Sequence, residues 1–268
     1  MNQLIKYKIQ HFDKNGNCSV KEDSVISEKM IHIICNCKEI AIISCLPGME
    51  KELVCGYLLS NGIIQTAKDI LVCEFSEAIN AVQIVLNPEV STQSEAVKKY
   101  VTSGCGAGLQ VISTDDIVPL TGPFTTFSAS AIISAATELQ HASQLFRETG
   151  GAHSVALCGK NGNIIVRADD IGRHNAFDKI VGYCLLKNNI DVESCFAVCT
   201  GRLSSEIVIK AWHLRIPLLV SRSAPTSHGI DLAKKGNVAL AAFARSGRFN
   251  LYNGKDRISN PATKSLEN

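Results

Sequence analysis

No apolar stretch in this sequence approaches the roughly 18–20 residues that a membrane-spanning helix needs. The opening MNQLIKYKIQHFDKNG has no apolar core of the kind a secretory signal carries. A soluble, cytoplasmic protein with no membrane partner is therefore expected. Charge of one sign is also scarce: the formal net charge is only +2, too small for nonspecific adhesion to nucleic acid or to lipid. Any anion site must come from locally grouped arginines and lysines. No G-x-x-x-x-G-K-[ST] string occurs, which excludes a P-loop, and no G-x-G-x-x-G fingerprint follows a strand. None of the seven histidines opens an H-x-E and there is no P-C-x-x-C, so a zinc deaminase lacks its ligands and its glutamate.

Cysteine, in contrast, is abundant. There are eleven, an odd number, in a chain of 268 residues of which 46% are hydrophobic. A disulfide scaffold belongs to short secreted chains with too little core, and neither condition applies here. No C-x-x-C occurs; Cys35-x-Cys37 and Cys195-x-x-x-Cys199 are poor zinc spacings, and no metal site is expected. Cys45, Cys73, Cys158, Cys184, Cys195 and Cys199 fall in apolar runs, where a thiol behaves as a small buried hydrophobe.

The patterning predicts two parts. Residues 1–125 form an α+β subdomain: strands with two helices, one over 48–61, and a strand at 82–86 before Asn87-Pro88. Pro119 to Pro123 breaks the pattern and marks the boundary. Residues 126–268 begin with a long helix capped by Ser128 or Ser130, running to Glu148 and stopped by Gly150-Gly151, with Ile132, Ile133, Ala136, Leu139 and Phe146 facing inward. Asn161-Gly162 between two apolar runs signals a hairpin. Helices at 174–187, 204–215 and 227–235 then alternate with strands at 195–200, 217–222, 238–244 and 249–252. The expected fold is α/β, α+β overall: a mixed sheet covered by helices on both faces. The polar tail from Gly254 is expected to fray.

Four segments could carry chemistry. TSGCGAG, 102–108, surrounds Cys105 with three glycines. Glycine removes side-chain shielding and lets the backbone turn freely, so the thiol can be exposed on a mobile loop; the same glycines would equally serve a tight turn around an inert cysteine. The run from Arg167 to Lys179 is the densest polar stretch. It places Asp170, Gly172, Arg173 and His174 at a helix start, where backbone N–H groups attract anions. A capped helix with a solvated ionic face is the other reading. Thr200-Gly201-Arg202-Leu203-Ser204 and Ser221-Arg222-Ser223-Ala224-Pro225 repeat the strand-to-helix arrangement, with Ser204 as an N-cap. Such loops converge on one sheet edge, and hydroxyls with arginine suit phosphate oxygens. His153, after Gly150-Gly151, is open to a catalytic or a structural role.

Taken in order, CGYLLSNGII (55–64), TSGCG (102–106), GGAHSVAL (150–157), RADDIGRHNAFDKIVG (167–182), TGRLSSEIVIKA (200–211), SRSAPTS (221–227) and FARSGRFNLY (243–252) resemble the formate dehydrogenase accessory sulfurtransferases, the FdhD family. The resemblance implies a cytidine-deaminase-like core and a homodimer. It implies transfer of persulfide sulfur from a cysteine desulfurase to the molybdenum cofactor in its bis(molybdopterin guanine dinucleotide) form, bound as substrate, for formate dehydrogenase. Cys105 matches the family's persulfide carrier. Phe243, Ala244, Arg245, Ser246, Gly247 and Arg248 match the segment that engages the guanine nucleotide, and Arg173, His174, Arg202 and Ser223 join it as expected cofactor contacts. Where many members have a second loop cysteine, this chain has Gly108, leaving one thiol to accept sulfur. Two functions follow: a sulfurtransferase working through Cys105, or a non-catalytic chaperone that binds and delivers the cofactor.

Overall fold

The computed structural model describes residues 2–90, 99–101, 117–187 and 189–259, with 99–101 described by backbone alone. Cys105, Gly108 and the expectation of a mobile loop around them lie outside the described residues.

The chain opens with a two-stranded ribbon, β1 (Leu4–Phe12) and β2 (Cys18–Ile26), turned at Asp13, whose carboxylate accepts from the Asn15 and Asn17 backbone N–H groups. Then come β3 (Lys29–Cys35) and β4 (Lys38–Cys45), helix α1 (Glu50–Ser60), β5 (Ile70–Ser76) and β6 (Ala81–Leu86). With β7 (Lys99–Val101) these form a five-stranded sheet in the order β5-β6-β3-β4-β7. Along β3 the period of two is plain: Ile31, Ile33 and Cys35 are buried while His32 and Ile34 are less so. Of the two helices expected in this part, α1 is present, and the described residues add only a 3-10 turn at Ala67–Asp69.

The second part holds β8 (Phe127–Ser128), α2 (Ala129–Ala142), α3 (Gln144–Thr149), the hairpin β9 (His153–Cys158) and β10 (Ile164–Asp170), α4 (Arg173–Lys187), β11 (Phe196–Cys199), α5 (Ser205–His213), β12 (Leu218–Ser221), α6 (Ser227–Lys235), β13 (Ala239–Arg245) and β14 (Arg248–Asn253). β15 (Ile258–Ser259) pairs with β8. The six-stranded sheet runs β10-β9-β11-β12-β13-β14, with β11, β12 and β13 parallel and the hairpins antiparallel at either side. This is the mixed α+β sheet the patterning predicts. Alternation along its strands divides two cores. Val155, Leu157, Ala197, Leu219 and Leu240 face α4, α5 and α6, while Ala156, Cys158, Val198, Val220 and Ala241 face α2 and Phe127.

Two expectations need correcting. The helix from Ser128 does not run to Glu148. Ser128 caps α2 by accepting from Ala131 N at 3.1 Å, but the chain breaks at Ser143, whose hydroxyl accepts from Phe146 N and starts α3. The break turns Phe146 out of the core to 46% exposure. Nor does the chain fray at Gly254: Arg257 is buried, its guanidinium 3.5 Å from the Phe124 ring centroid, and β15 follows. A cation over an aromatic face anchors a segment that composition alone marks as a tail.

The first core is continuous across both parts, because α1 lies directly on α4. Two glycines permit this. A Cβ at Gly56 would sit 1.9 Å from Asp178 O, and one at Gly182 would sit 1.8 Å from Glu52 O. Backbone meets backbone at both points, so no side-chain adjustment can relieve the overlap. We expect Gly56→Ala and Gly182→Ala each to destabilise the fold by at least about 1–3 kcal/mol, the scale of core overpacking. Urea unfolding of each variant measures it, and a midpoint equal to wild type would contradict the close crossing.

Candidate functional site

The strand-to-helix loops of the six-stranded sheet meet at one edge. β11, β12 and β13 end there and β9, running antiparallel, begins there. The loops are tied to one another. Leu203 N donates to Ala224 O at 3.1 Å, Thr226 N donates to Leu203 O at 3.0 Å, and Ser221 Oγ donates to Gly201 O at 2.6 Å. Phe243 N donates to Ser223 O at 3.0 Å. Ser204 occupies the N-cap position of α5, but its hydroxyl makes no cap bond; Thr226 does cap α6, accepting from Gly229 N at 3.1 Å.

Between these loops and α2–α3 lies a cleft of about 450 Å³. Phe146, His153, Thr200, Arg222, Ser223 and Arg245 line it. Arg222 Nη1 donates to Ala136 O at 3.1 Å and to Ala244 O at 3.4 Å, which holds the guanidinium in place. Burial, and then the nearby charge of Arg245, pull the Arg222 guanidinium below its ordinary range. Two cations held together in a partly buried cleft favour an anion between them.

His153 adds a pH-sensitive wall. Its ring is pushed below its ordinary 6.5, first by burial and then by the nearby Arg173 guanidinium and His174 ring, with Asp170 opposing. Arg173 opens α4; its stem crosses Gly201, where a Cβ would come 3.0 Å from Arg173 Cβ, and its Nε is buried without a partner. His174, one residue on, sits 2.5 Å from Glu206 Oε2 through Nε2. That contact holds the Glu206 carboxyl below its usual range.

The expected contacts thus separate. Arg245 and Ser223 line the main cleft. Phe243, Arg245 and Arg248 line a neighbouring depression with Asn250, and the Arg245 guanidinium lies 5.7 Å from the Phe243 ring centroid. Phe243 takes a left-handed φ of 55° at a bulge in β13, which redirects the strand end; Ser246 and Gly247, at 54° and 72°, make the turn into β14. Ala244 is buried in the second core. Arg173 and His174 stand at the opening of α4, and Arg202 is exposed and lines neither cavity. Phe146 is a cleft residue that the sequence marks as core, and Arg222 is one that the sequence places in a phosphate-suited loop without naming it as a contact.

Much of the polar run in α4 is structural. Asp170 is fully buried, with Lys179 Nζ 2.8 Å from Oδ2, and it also accepts from Leu46 N, Gly172 N and Asn175 Nδ2. Asp178 takes Lys210 Nζ at 2.6 Å and Ser60 Oγ at 2.7 Å. Neither reading of this run holds alone: its Asp and Lys residues are an internal brace, and Arg173 with His174 remains at the sheet edge.

A mixed sheet with helices on both faces and a crevice holding Arg222 and Arg245 at its strand ends defines a class: α/β proteins with a cleft formed by strand-end loops. The FdhD/NarQ family model matches residues 26–259, and the chain belongs to this family. It is 34% identical over 248 residues to the sulfur carrier protein FdhD of Bacillus subtilis (strain 168), covering 91% of this chain and 94% of that one. It is also 34% identical to the protein of the same name from Sulfurisphaera tokodaii, covering 91% and 95%. A crystal structure of a candidate formate dehydrogenase accessory protein from Desulfotalea psychrophila superposes with a TM-score of 0.78 at 26% identity, covering 96% of this chain and all of that one.

The depressed His153 has a consequence for stability. As pH falls, the unfolded chain takes up its proton near 6.5 while the folded ring resists. Stability is therefore full above that value and declines below it. His213, also lowered by burial, acts in the same sense. The thermal midpoint should drop between about pH 7 and about pH 5.5, and His153→Gln should shrink that drop. An unchanged slope in His153→Gln would remove His153 from the account.

Proposed function

We propose that this chain accepts persulfide sulfur from a cysteine desulfurase on Cys105 and passes it to the molybdenum cofactor, in its bis(molybdopterin guanine dinucleotide) form, for formate dehydrogenase. In this reading it works in the cytoplasm as a homodimer, and the cofactor is substrate, not a resident group. The observation that carries the reading is the cleft that joins Arg222 and Arg245 to Ser223, Thr200 and His153 at the strand ends. Two guanidiniums and small hydroxyls match pyrophosphate oxygens, and the depression that Arg245 shares with Phe243 and Arg248 offers an aromatic face beside one further guanidinium for a nucleotide. Membership of a family whose relatives are named sulfur carriers supports the sulfur step.

The chemistry asks little of the chain. The Cys105 thiolate attacks the outer sulfur of the desulfurase persulfide, the S–S bond there breaks, and the desulfurase thiol departs. The cationic cleft meanwhile holds the substrate's phosphates. β7 lies parallel to β4 and ends opposite Ile43, beside Ser44, whose carbonyl takes the Asn175 amide at the head of α4.

Incubation with a cysteine desulfurase and cysteine should add the mass of one sulfur atom to wild type and none to Cys105→Ser, read by intact-mass spectrometry. An equal gain in both proteins would leave delivery without sulfur transfer as the function.

The anion site has its own test, calorimetric titration with guanosine diphosphate. Arg245→Ala and Arg248→Ala should each lose about 1.5–3 kcal/mol of binding, the worth of a charge-assisted contact. Binding equal to wild type in both variants would place the nucleotide elsewhere.

A further inference from the structure

Among the buried cysteines, Cys45, Cys158, Cys184, Cys195 and Cys199 behave as small hydrophobes, with burial pushing each thiol up to about 11 or 12. Cys73 departs from that expectation. It lies half-buried on β5, the edge strand of the five-stranded sheet, and its Sγ is 3.5 Å from Cys55 Sγ on α1. The two sulfurs are in contact, and a shift of about 1.5 Å would bring them to the bonding distance of a disulfide. Cys55 is completely buried at 0% exposure, so the pair has one shielded and one reachable member.

The electrostatics distinguish the two. Either sulfur can donate across this contact; with the shielded Cys55 as donor, Cys73 is pulled below its ordinary range and Cys55 is pushed well above it, and Lys51, one helical turn before Cys55, adds to the pull on Cys73 while burial and the carboxylates Glu52 and Glu74 oppose it. A thiolate-leaning, reachable sulfur beside a protonated partner is the arrangement in which one thiol is oxidised and the other closes the bond.

We propose that Cys55 and Cys73 form a reversible disulfide when the protein meets a hydroperoxide, fastening α1 to the edge of the five-stranded sheet. The Cys73 thiolate attacks one peroxide oxygen, the O–O bond breaks, and Cys73 becomes a sulfenic acid while the leaving oxygen takes a proton. Cys55 sulfur then attacks the Cys73 sulfur. The S–O bond breaks, and the departing oxygen leaves as water with the Cys55 proton. Two thiols are oxidised by one hydroperoxide, and an added dithiol reverses the change. The site is separate from the strand-end cleft and does not depend on the sulfur-carrier reading.

Trypsin makes the test direct. Cleavage after Lys51, Lys68 and Lys98 places Cys55 in peptide 52–68 and Cys73 in peptide 69–98, each with no other cysteine. After brief treatment of the full chain with hydrogen peroxide, a non-reducing digest should contain the two peptides joined, lighter than their sum by two hydrogens, and dithiothreitol should separate them. In Cys55→Ser, dimedone should label Cys73 severalfold more than in wild type, because the resolving thiol is gone. The proposal fails if wild-type peptides stay separate while the exposed Cys18 and Cys37 are oxidised. It fails equally if Cys73 is bridged to another cysteine. The wild-type digest decides the matter even if Cys55→Ser does not fold.

Discussion

The Asp170 carboxylate is the point on which the architecture turns. It ends β10, precedes α4 and is completely buried, yet it takes donors from three directions: the Leu46 backbone, the Asn175 amide and the Lys179 ammonium. Lys179 in turn donates to Leu46 O and Asp169 O, and Asn175 to Ser44 O. One carboxylate therefore fixes the end of β4, the start of α4 and the end of β10 in a single arrangement. A buried pair of this kind contributes little net stability against an apolar replacement, but loss of one partner alone costs about 3–5 kcal/mol. Its value is positional: it joins the five-stranded sheet to the six-stranded one at the end where the cleft opens.

The second buried pair, Asp178 with Lys210 and Ser60, links α4 to α5 and α1. It sits beside the crossing where Gly56 meets the Asp178 carbonyl. The side chain and the backbone of one residue thus do two jobs, the first setting the direction of the helices and the second their separation. With α4 held this way, Arg173 and His174 arrive at the sheet edge beside Gly201 and Glu206.

Much of this was legible in the sequence. The order of helices and strands after residue 150 follows from periodicity and turn chemistry, and α6 and the β9–β10 hairpin fall where the pattern puts them. The failures have physical causes. Ser143 splits the expected long helix because its hydroxyl caps the segment after it, a signal hidden in a helical run. The motif from Arg167 to Lys179 reads as surface because charged residues usually are, whereas here Asp170 and Lys179 satisfy each other internally. Pairing across 133 residues, as between Lys179 and the Leu46 carbonyl, leaves no local trace. The sequence puts Arg222 in a strand-end loop suited to phosphate oxygens, but leaves no trace of the two carbonyls, of Ala136 and Ala244, that hold its guanidinium and that only folding brings near it. Cys73 escaped notice because a strand pattern shows which face a thiol occupies and not what sulfur waits there.

The bridge between Leu203 and Pro225, with its flanking bonds, makes two loops of the cleft a single strip of backbone. Neither can swing open alone without breaking hydrogen bonds to the other. The proposed ligand would therefore meet a mouth of fixed width along that side, whereas the short α3 and its exposed Phe146 line the cleft outside those bonds. Entry and exit should then be governed by how quickly one aromatic side chain and a six-residue helix give way, a matter of nanoseconds to microseconds, rather than by a slow rearrangement of the sheet edge.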